Sequence, residues 1–374
     1  MTPRRAALAG FTLALLLGAW PARPAANATD TIPASLSDEQ FWKLTQDLSE
    51  TDGYFRSENL LSNEMVFARV VPELLGRTKP DGIYLGVGPE QNFTYIAAMR
   101  PRMAFIIDIR RGNLLLQLMY KALFELSADR AEFVSRLFTK PRPASLTPES
   151  SSRELMDAYW DIVTSDETTY QTNLRAIEDV LIRKHRFPLS QQDRDGLAYV
   201  YHAFYWFGPR INWSSSANGS FGGGQTYADL MMQADATGRG LSYLATEASF
   251  QSVKALQARN LVVPVIGNFG GTKAIRAVGR YLKERGALVT AFYLSNVEQY
   301  LRQDSLWQRF CENVATLPLD DASVFIRPGG LGMRGVTSIT LVNGVPSSRP
   351  VTITPGGSAL APMMTETAAC GAPR

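Results

Sequence analysis

Gly86, Gly88 and Asp108 are the residues of this chain whose types and spacing point most directly to chemistry. They lie within Gly82–Arg111, GIYLGVGPEQNFTYIAAMRPRMAFIIDIRR, which reads as a strand, a glycine-bearing turn, a helix and a second strand ending in an acid. Gly86 permits the tight turn after the first strand, and Gly88 lets a ligand approach the backbone. The helix that follows presents free N–H groups and the positive end of its dipole, worth roughly 0.3–1 kcal/mol to a nearby negative group. Asp108, about 20 residues on, is placed to accept hydrogen bonds from ribose hydroxyls. Glu90 and Asn92 in the turn and Arg110 just past the acid complete the expected ligand-facing set. Gln91 stands where the G-x-G-x-x-G fingerprint needs its third glycine, and Pro89-Glu90 enter the turn. That argues against a dinucleotide pyrophosphate and in favour of an adenosine-type ligand. The competing reading is a turn of this shape with no ligand.

Other polar groups fall where strands end or begin. Gly267-Asn268-Phe269-Gly270-Gly271 follows the apolar run LVVPVI and puts Asn268 at a strand's carboxyl end, either facing substrate or serving a strand-to-helix turn. Ser295-Asn296-Val297-Glu298 follows LVTAFYL. Capping by Ser295 or Asn296 explains it, and its position keeps Asn296 and Glu298 as substrate contacts. Arg56, Asn59, Asn63 and Glu64 precede the first strand in a segment that can fold over a ligand, with capping by Ser62 or Asn63 as the simpler account. His185 and His202 are isolated, so no histidine-based metal site is expected, and the absence of G-x-S-x-G disfavours a serine triad. No CxxC or Cys/His spacing points to zinc. A buried, hydrogen-bonded His202 is the preferred reading within the aromatic run 197–207, itself read as core, or as a lid beside the glycine-rich 211–227. No residue declares itself as a catalytic acid or base.

These groups need a scaffold. Ser37-Asp-Glu-Gln40 is a capping box opening a helix through Leu48. A further helix runs to about Leu75, with a kink at Pro72 and a stop at Gly76. Residues 112–185 carry helical periodicity. Strand and helix signals then alternate: strands at 241–245, 261–266 and 288–294, helices over 247–259, 273–285 and most of 297–315, then strands at 323–327 and 338–342. Alternation of this kind means a parallel sheet covered on both faces. The expected fold is α/β, with seven strands near 83, 104, 242, 262, 289, 324 and 339, the last antiparallel. A helical insertion, about 112–240, separates the second and third. Residues 29–80 are expected as N-terminal helices, 81–344 as the main domain, and 345–374 as a flexible tail.

The stretches GVGPEQNFTYIAA, IIDIRRGNLLLQLMYKALFELS and FYLSNVEQYL together resemble an uncharacterised bacterial family with a Rossmann-like fold of the class I S-adenosylmethionine-dependent methyltransferase type. The resemblance covers roughly residues 50–310. It implies S-adenosylmethionine, or a related adenosine-type compound, as the small-molecule ligand. It supports fold and ligand class more than activity.

Length, composition and the N-terminus set the bounds. At 374 residues, 45% hydrophobic and 20% charged, the chain is long enough for one large domain or two. Arg4 and Arg5, an apolar run over 6–20 and Ala26-Asn27-Ala28 form the pattern of a cleaved signal peptide, residues 1–28. The alternative is a membrane anchor formed by residues 6–20, which are fewer than the roughly 20 a span needs. Cleavage removes three arginines and no acid, taking the formal charge from +3 to 0. The basic pI of 8.8 is therefore no argument for nucleic acid. Cys311 and Cys370 can pair in an oxidising compartment. Export also bears on the ligand: S-adenosylmethionine is made in the cytoplasm. An exported protein must carry it out in the folded state, use another ligand, or act as a non-catalytic binding or scaffold protein.

Overall fold

The computed structural model describes residues 31–64, 67–163, 166–215, 224–327, 340–342, 345–347 and 359–369. Helix α1 (Asp38–Leu48) is followed by α2 (Val71–Arg77), strand β1 (Ile83–Gly86), α3 (Gln91–Met99) and β2 (Met103–Asp108). Helices then run as α4 (Arg111–Leu126), α5 (Arg130–Phe138), α6 (Ser152–Trp160), α7 (Glu167–Glu178), α8 (Gln191–Phe207), α9 (Tyr227–Met231) and α10 (Glu247–Ala258). The chain continues with β3 (Val262–Ile266), α11 (Ala274–Lys283), β4 (Val289–Tyr293), α12 (Val297–Gln303), α13 (Trp307–Val314) and β5 (Val324–Arg327). It ends with β6 (Thr340–Val342), β7 (Val345–Ser347), β8 (Ala359–Pro362) and α14 (Met363–Ala369).

Six strands form one sheet in the order β3-β2-β1-β4-β5-β8. All neighbours are parallel except β5 and β8. Every residue of β1, β2, β3 and β4 is buried, so these strands read as continuous apolar runs, as a sheet covered on both faces requires. Helix α4 packs on β2 and β3 and on α8 and α10, while α1 packs on β3 and α11.

Strand β3 is an edge, and its Pro264 fits that place, because proline has no N–H to give a ladder on both sides. The residues just past α1 cover the end of this edge. Glu50 N–H donates to the Ile266 carbonyl at 2.7 Å, and Ile266 N–H donates to Ser49 Oγ at 3.0 Å. The Glu50 carboxylate also accepts from the backbone N–H groups of Asn268, Lys273 and Ala274 at 3.1, 2.8 and 2.9 Å. A carboxylate thus fills the anion-attracting N-terminus of α11. Glu50→Ala is expected to lower stability by roughly 1–2 kcal/mol, read as a fall in the urea midpoint at unchanged slope. An unchanged midpoint would show that the cap contributes nothing.

The capping box of α1 is present, with Ser37 and Gln40 bonded reciprocally. Four expectations need correction. Residues 241–245 form no strand: they are buried bends and turns, and a short apolar run does not separate a strand from a packed loop. Pro72 does not kink a helix but lies in the first turn of α2, where its missing N–H costs nothing, and α2 runs through Gly76 to Arg77. The strand near 339 pairs with β7 in a separate two-stranded hairpin. The antiparallel edge is instead β8, within the segment read as tail, so the main sheet has six strands. Cys311 is disulfide-bonded. The only other cysteine, Cys370, lies outside the described residues, as does the proposed signal segment.

Candidate functional site

The carboxyl ends of β1, β2, β3 and β4 converge on a cavity of about 390 Å³. Its walls are the turn after β1 (Val87–Pro89 and Gln91), Asp108–Arg110 after β2, Gly267–Phe269 after β3, and residues of 295–306 after β4. A strap from Tyr54 to Asn63 crosses it. In the strand order, β1 stands between β2 on one side and β4 on the other, so the cavity sits where the chain reverses its direction of travel across the sheet. That is where open parallel sheets bind ligands.

The turn is built by two glycines for different reasons. Gly88 has φ +79°, a left-handed backbone that disfavours any side chain. A Cβ on Gly86 would lie 1.9 Å from Asn92 Oδ1. The Asn92 carboxamide fills that space: its Nδ2 donates to the carbonyls of Val87, Gly88 and Pro89, and its Oδ1 accepts from Tyr84. Asn92 is therefore the buried brace of the turn, and neither it nor Gly86 lines the cavity.

Glu90 is also buried, one residue behind the wall formed by Pro89 and Gln91. Its Oε1 accepts from Ser62 N–H at 3.4 Å, and its Oε2 has no hydrogen-bond partner. Burial pushes its carboxyl up to about 8, against the opposing effect of backbone hydrogen bonds from Glu90 itself and from Ser62. At neutral pH Glu90 is mostly protonated and adds little negative charge behind the cavity.

Asp108 does line the cavity, in a tight partnership with Arg110. Oδ1 accepts from Arg110 N–H and Nε, and Oδ2 accepts from Arg110 Nη2, each at 2.9 Å. A carboxylate has about four lone-pair positions. Three are taken, so one remains for a ligand hydroxyl without breaking the pair. Arg110 Nη1 also donates to the Ser57 carbonyl at 3.3 Å, tying the strap to the end of β2. Further ties are Gly53 N–H to the Ile109 carbonyl and Arg111 N–H to Asp52. Arg111 in turn forks onto Asp193, which raises its guanidinium above its ordinary range.

Asn59, Asn63, Asn268 and Asn296 all line the cavity. Asn59 has a left-handed backbone and accepts from Ser57 Oγ; Asn268 Oδ1 accepts from Gly270 N–H in a local turn. Asn296 is the N-cap of α12 without a side-chain capping bond. Glu298 is not in the cavity wall; it pairs with Arg327 at 2.8 Å. His202 is half-buried and held by ring contacts to Tyr170, Tyr205 and Trp206, which corrects the expectation of a buried, hydrogen-bonded ring. His185 bridges Asp38 and Glu125, and with Lys121 and Lys184 it holds the Glu125 carboxyl down at about 2 against the opposing effect of its burial.

Other lining residues carry only a faint signal in the sequence, or none. Gln91 is 1% exposed; its Nε2 donates to the Val87 carbonyl and its Oε1 has no partner. Its place in the glycine fingerprint is the one clue the sequence offers. At the rim, Phe55 meets Tyr300 edge to face at 4.9 Å, and Arg56 Nη2 donates to Tyr300 Oη at 3.0 Å. Those last two partners are 244 positions apart, and nothing in local pattern joins them.

Fold and cavity together define a mixed α/β protein with a ligand-sized cavity at the carboxyl edge of one mostly parallel sheet. Residues 60–200 and 222–337 match the family described as a domain of unknown function (DUF7790), and the chain belongs to that family. No curated protein matches the chain significantly. Among the described residues, no helix is long and apolar enough to cross a membrane.

Proposed function

We propose that the cavity binds S-adenosylmethionine or a related adenosine-type ligand, and that the fold is of the class I methyltransferase type. The observation that carries the reading is Asp108 at the end of β2, beside the Gly88 turn, lining the cavity with one acceptor position not taken by its described hydrogen bonds. The strand order, with its antiparallel edge at β8, supports the fold reading. The donor set fits such a ligand: Asp108 would take a ribose hydroxyl, Gly88 would let the ligand lie against the backbone, and Gln91 Oε1 is an acceptor for an N–H group. S-adenosylmethionine, when bound, supplies an electrophilic methyl group. The chain's own part is to hold the ligand under the strap and exclude water with Phe55, Phe269 and Tyr300. A thermal melt of the purified chain with S-adenosylhomocysteine tests the reading. Ligand at a hundredfold excess over its Kd adds about 2.7 kcal/mol of stability, a clear rise in Tm. No rise with either adenosyl compound would sink it.

A non-catalytic binding or scaffold role is the second reading, and one observation favours it. Among the described residues lining the cavity, the only acid besides Asp108 is Asp304, and there is no histidine, lysine or cysteine. A general base is therefore poorly provided. We also propose that the chain is exported, which the disulfide at Cys311 supports. A reporter that is active only outside the cytoplasm, fused to residues 1–35, should be active; a silent reporter would refute export.

A further inference from the structure

A second cavity, of about 410 Å³, lies away from the sheet edge among the ends of α5, α6 and α8. Its walls include Lys140, Trp160, Trp206 and Arg210. Lys140 is only 5% exposed, immediately past the cap of α5. Its Nζ donates to the Ile162 carbonyl, and among the described residues no carboxylate forms an ion pair with it. An ammonium carries three N–H donors, so two have no partner among the described residues. Asp161 at the rim is 92% exposed and faces Arg210 at 3.6 Å. Burial and the neighbouring Arg210 both push the Lys140 ammonium below its ordinary range, while Asp161 offsets part of this.

Arg210 has a structural role. It lies 4.3 Å over the Trp160 ring and donates to the Trp160 carbonyl, closing the end of α6. The negative ends of helices favour cations nearby by roughly 0.3–1 kcal/mol each, which accounts for Arg210 well. It accounts less well for Lys140, whose ammonium donates, among the described residues, to a carbonyl beyond the end of α6. Trp206 is 65% exposed, with His202 stacked on it at 6.0 Å. A nearly buried cation with unspent donors, a second cation and an exposed indole around one cavity make a matched set.

We propose that this cavity is a second ligand site, selective for a small organic anion that carries a ring: the anionic group on Lys140 and Arg210, the ring against Trp206. Aromatic acids and acidic sugars share that chemistry. The test is calorimetric titration of the full chain with phenyl phosphate and with glucuronate, using inorganic phosphate and phenol as half-ligands. One of the two complete probes is expected to bind more tightly than either half-ligand; which one binds tells an aromatic acid from a sugar acid. Lys140→Met and Trp206→Ala should each weaken it about tenfold or more, while Asp108→Ala should leave it unchanged. Trp206 is exposed, so its variant keeps the test valid if Lys140→Met fails to fold. No binding by either complete probe to the folded chain, or equal binding in wild type and the variants, overturns the proposal and leaves Lys140 as a helix-end cation.

Discussion

Asp108→Ala is expected to weaken S-adenosylhomocysteine binding by roughly ten- to a hundredfold. A hydrogen bond to a charged group contributes roughly 1.5–3 kcal/mol, and the variant removes the carboxylate that offers it. The same change strips Arg110 of three hydrogen bonds. The Arg110 side chain is 12% exposed and keeps only its bond to the Ser57 carbonyl among those described, so the strap loosens as well. Some stability is lost, since breaking a buried pair by removing one partner costs on the order of 3 kcal/mol, less here for the residual exposure. A melt at the assay temperature therefore belongs with the titration. Asp108→Asn should fall between wild type and alanine, because a carboxamide keeps one acceptor. Equal affinity in all three proteins would mean that the ligand does not touch this residue.

Glu90→Gln is expected to raise stability, by an amount that grows with pH. The folded-state carboxyl titrates near 8, against an ordinary value of 4.5. Below about 4.5 the group is protonated whether the chain is folded or not, and its burial carries no ionisation cost. Between 4.5 and 8 only the unfolded chain releases the proton, so the unfolded state gains and stability falls as pH rises. Above 8 both states are ionised and the loss levels off. The full difference is on the order of 3–5 kcal/mol. Glutamine has the same shape, keeps an acceptor for Ser62 N–H and does not titrate. Urea midpoints at pH 5, 7 and 9 should show wild type and variant closest at pH 5 and furthest apart at pH 9. A constant gap would mean that Glu90 is not the buried acid described. A buried carboxyl behind the cavity wall links the pH response of the fold to the turn that shapes the cavity.

The parts of the fold carried by local chemistry were legible in the sequence. Ser37 and Gln40 announce a helix start, and the runs IYLG, MAFIID, VVPVI and VTAFY announce buried parallel strands because nothing strongly polar interrupts them until Asp108. What failed depended on tertiary context. Leu241–Ala245 is as apolar as a strand, yet its burial comes from packing among helices. The ALAP of β8 carries no strand pattern and becomes one by pairing with β5. The site divides the same way. Gly88, Asp108 and Arg110 follow from spacing, and so does the position of Asn268 after β3. Glu90 and Asn92 sit in the right turn but point into the interior, and a sequence does not say which side of a turn faces solvent. Arg56, Phe55 and Tyr300 form one rim from two distant segments, and only the folded chain brings them together.

The central claim is that the cavity over β1 and β2 holds an adenosine-type ligand through Asp108. Isothermal titration of the full chain with S-adenosylhomocysteine tests it most directly, run on wild type and on folded Asp108→Ala. The expected result is one ligand bound per chain in wild type and heat greatly reduced in the variant. No heat from well-folded wild type, or the same isotherm from both proteins, would contradict it.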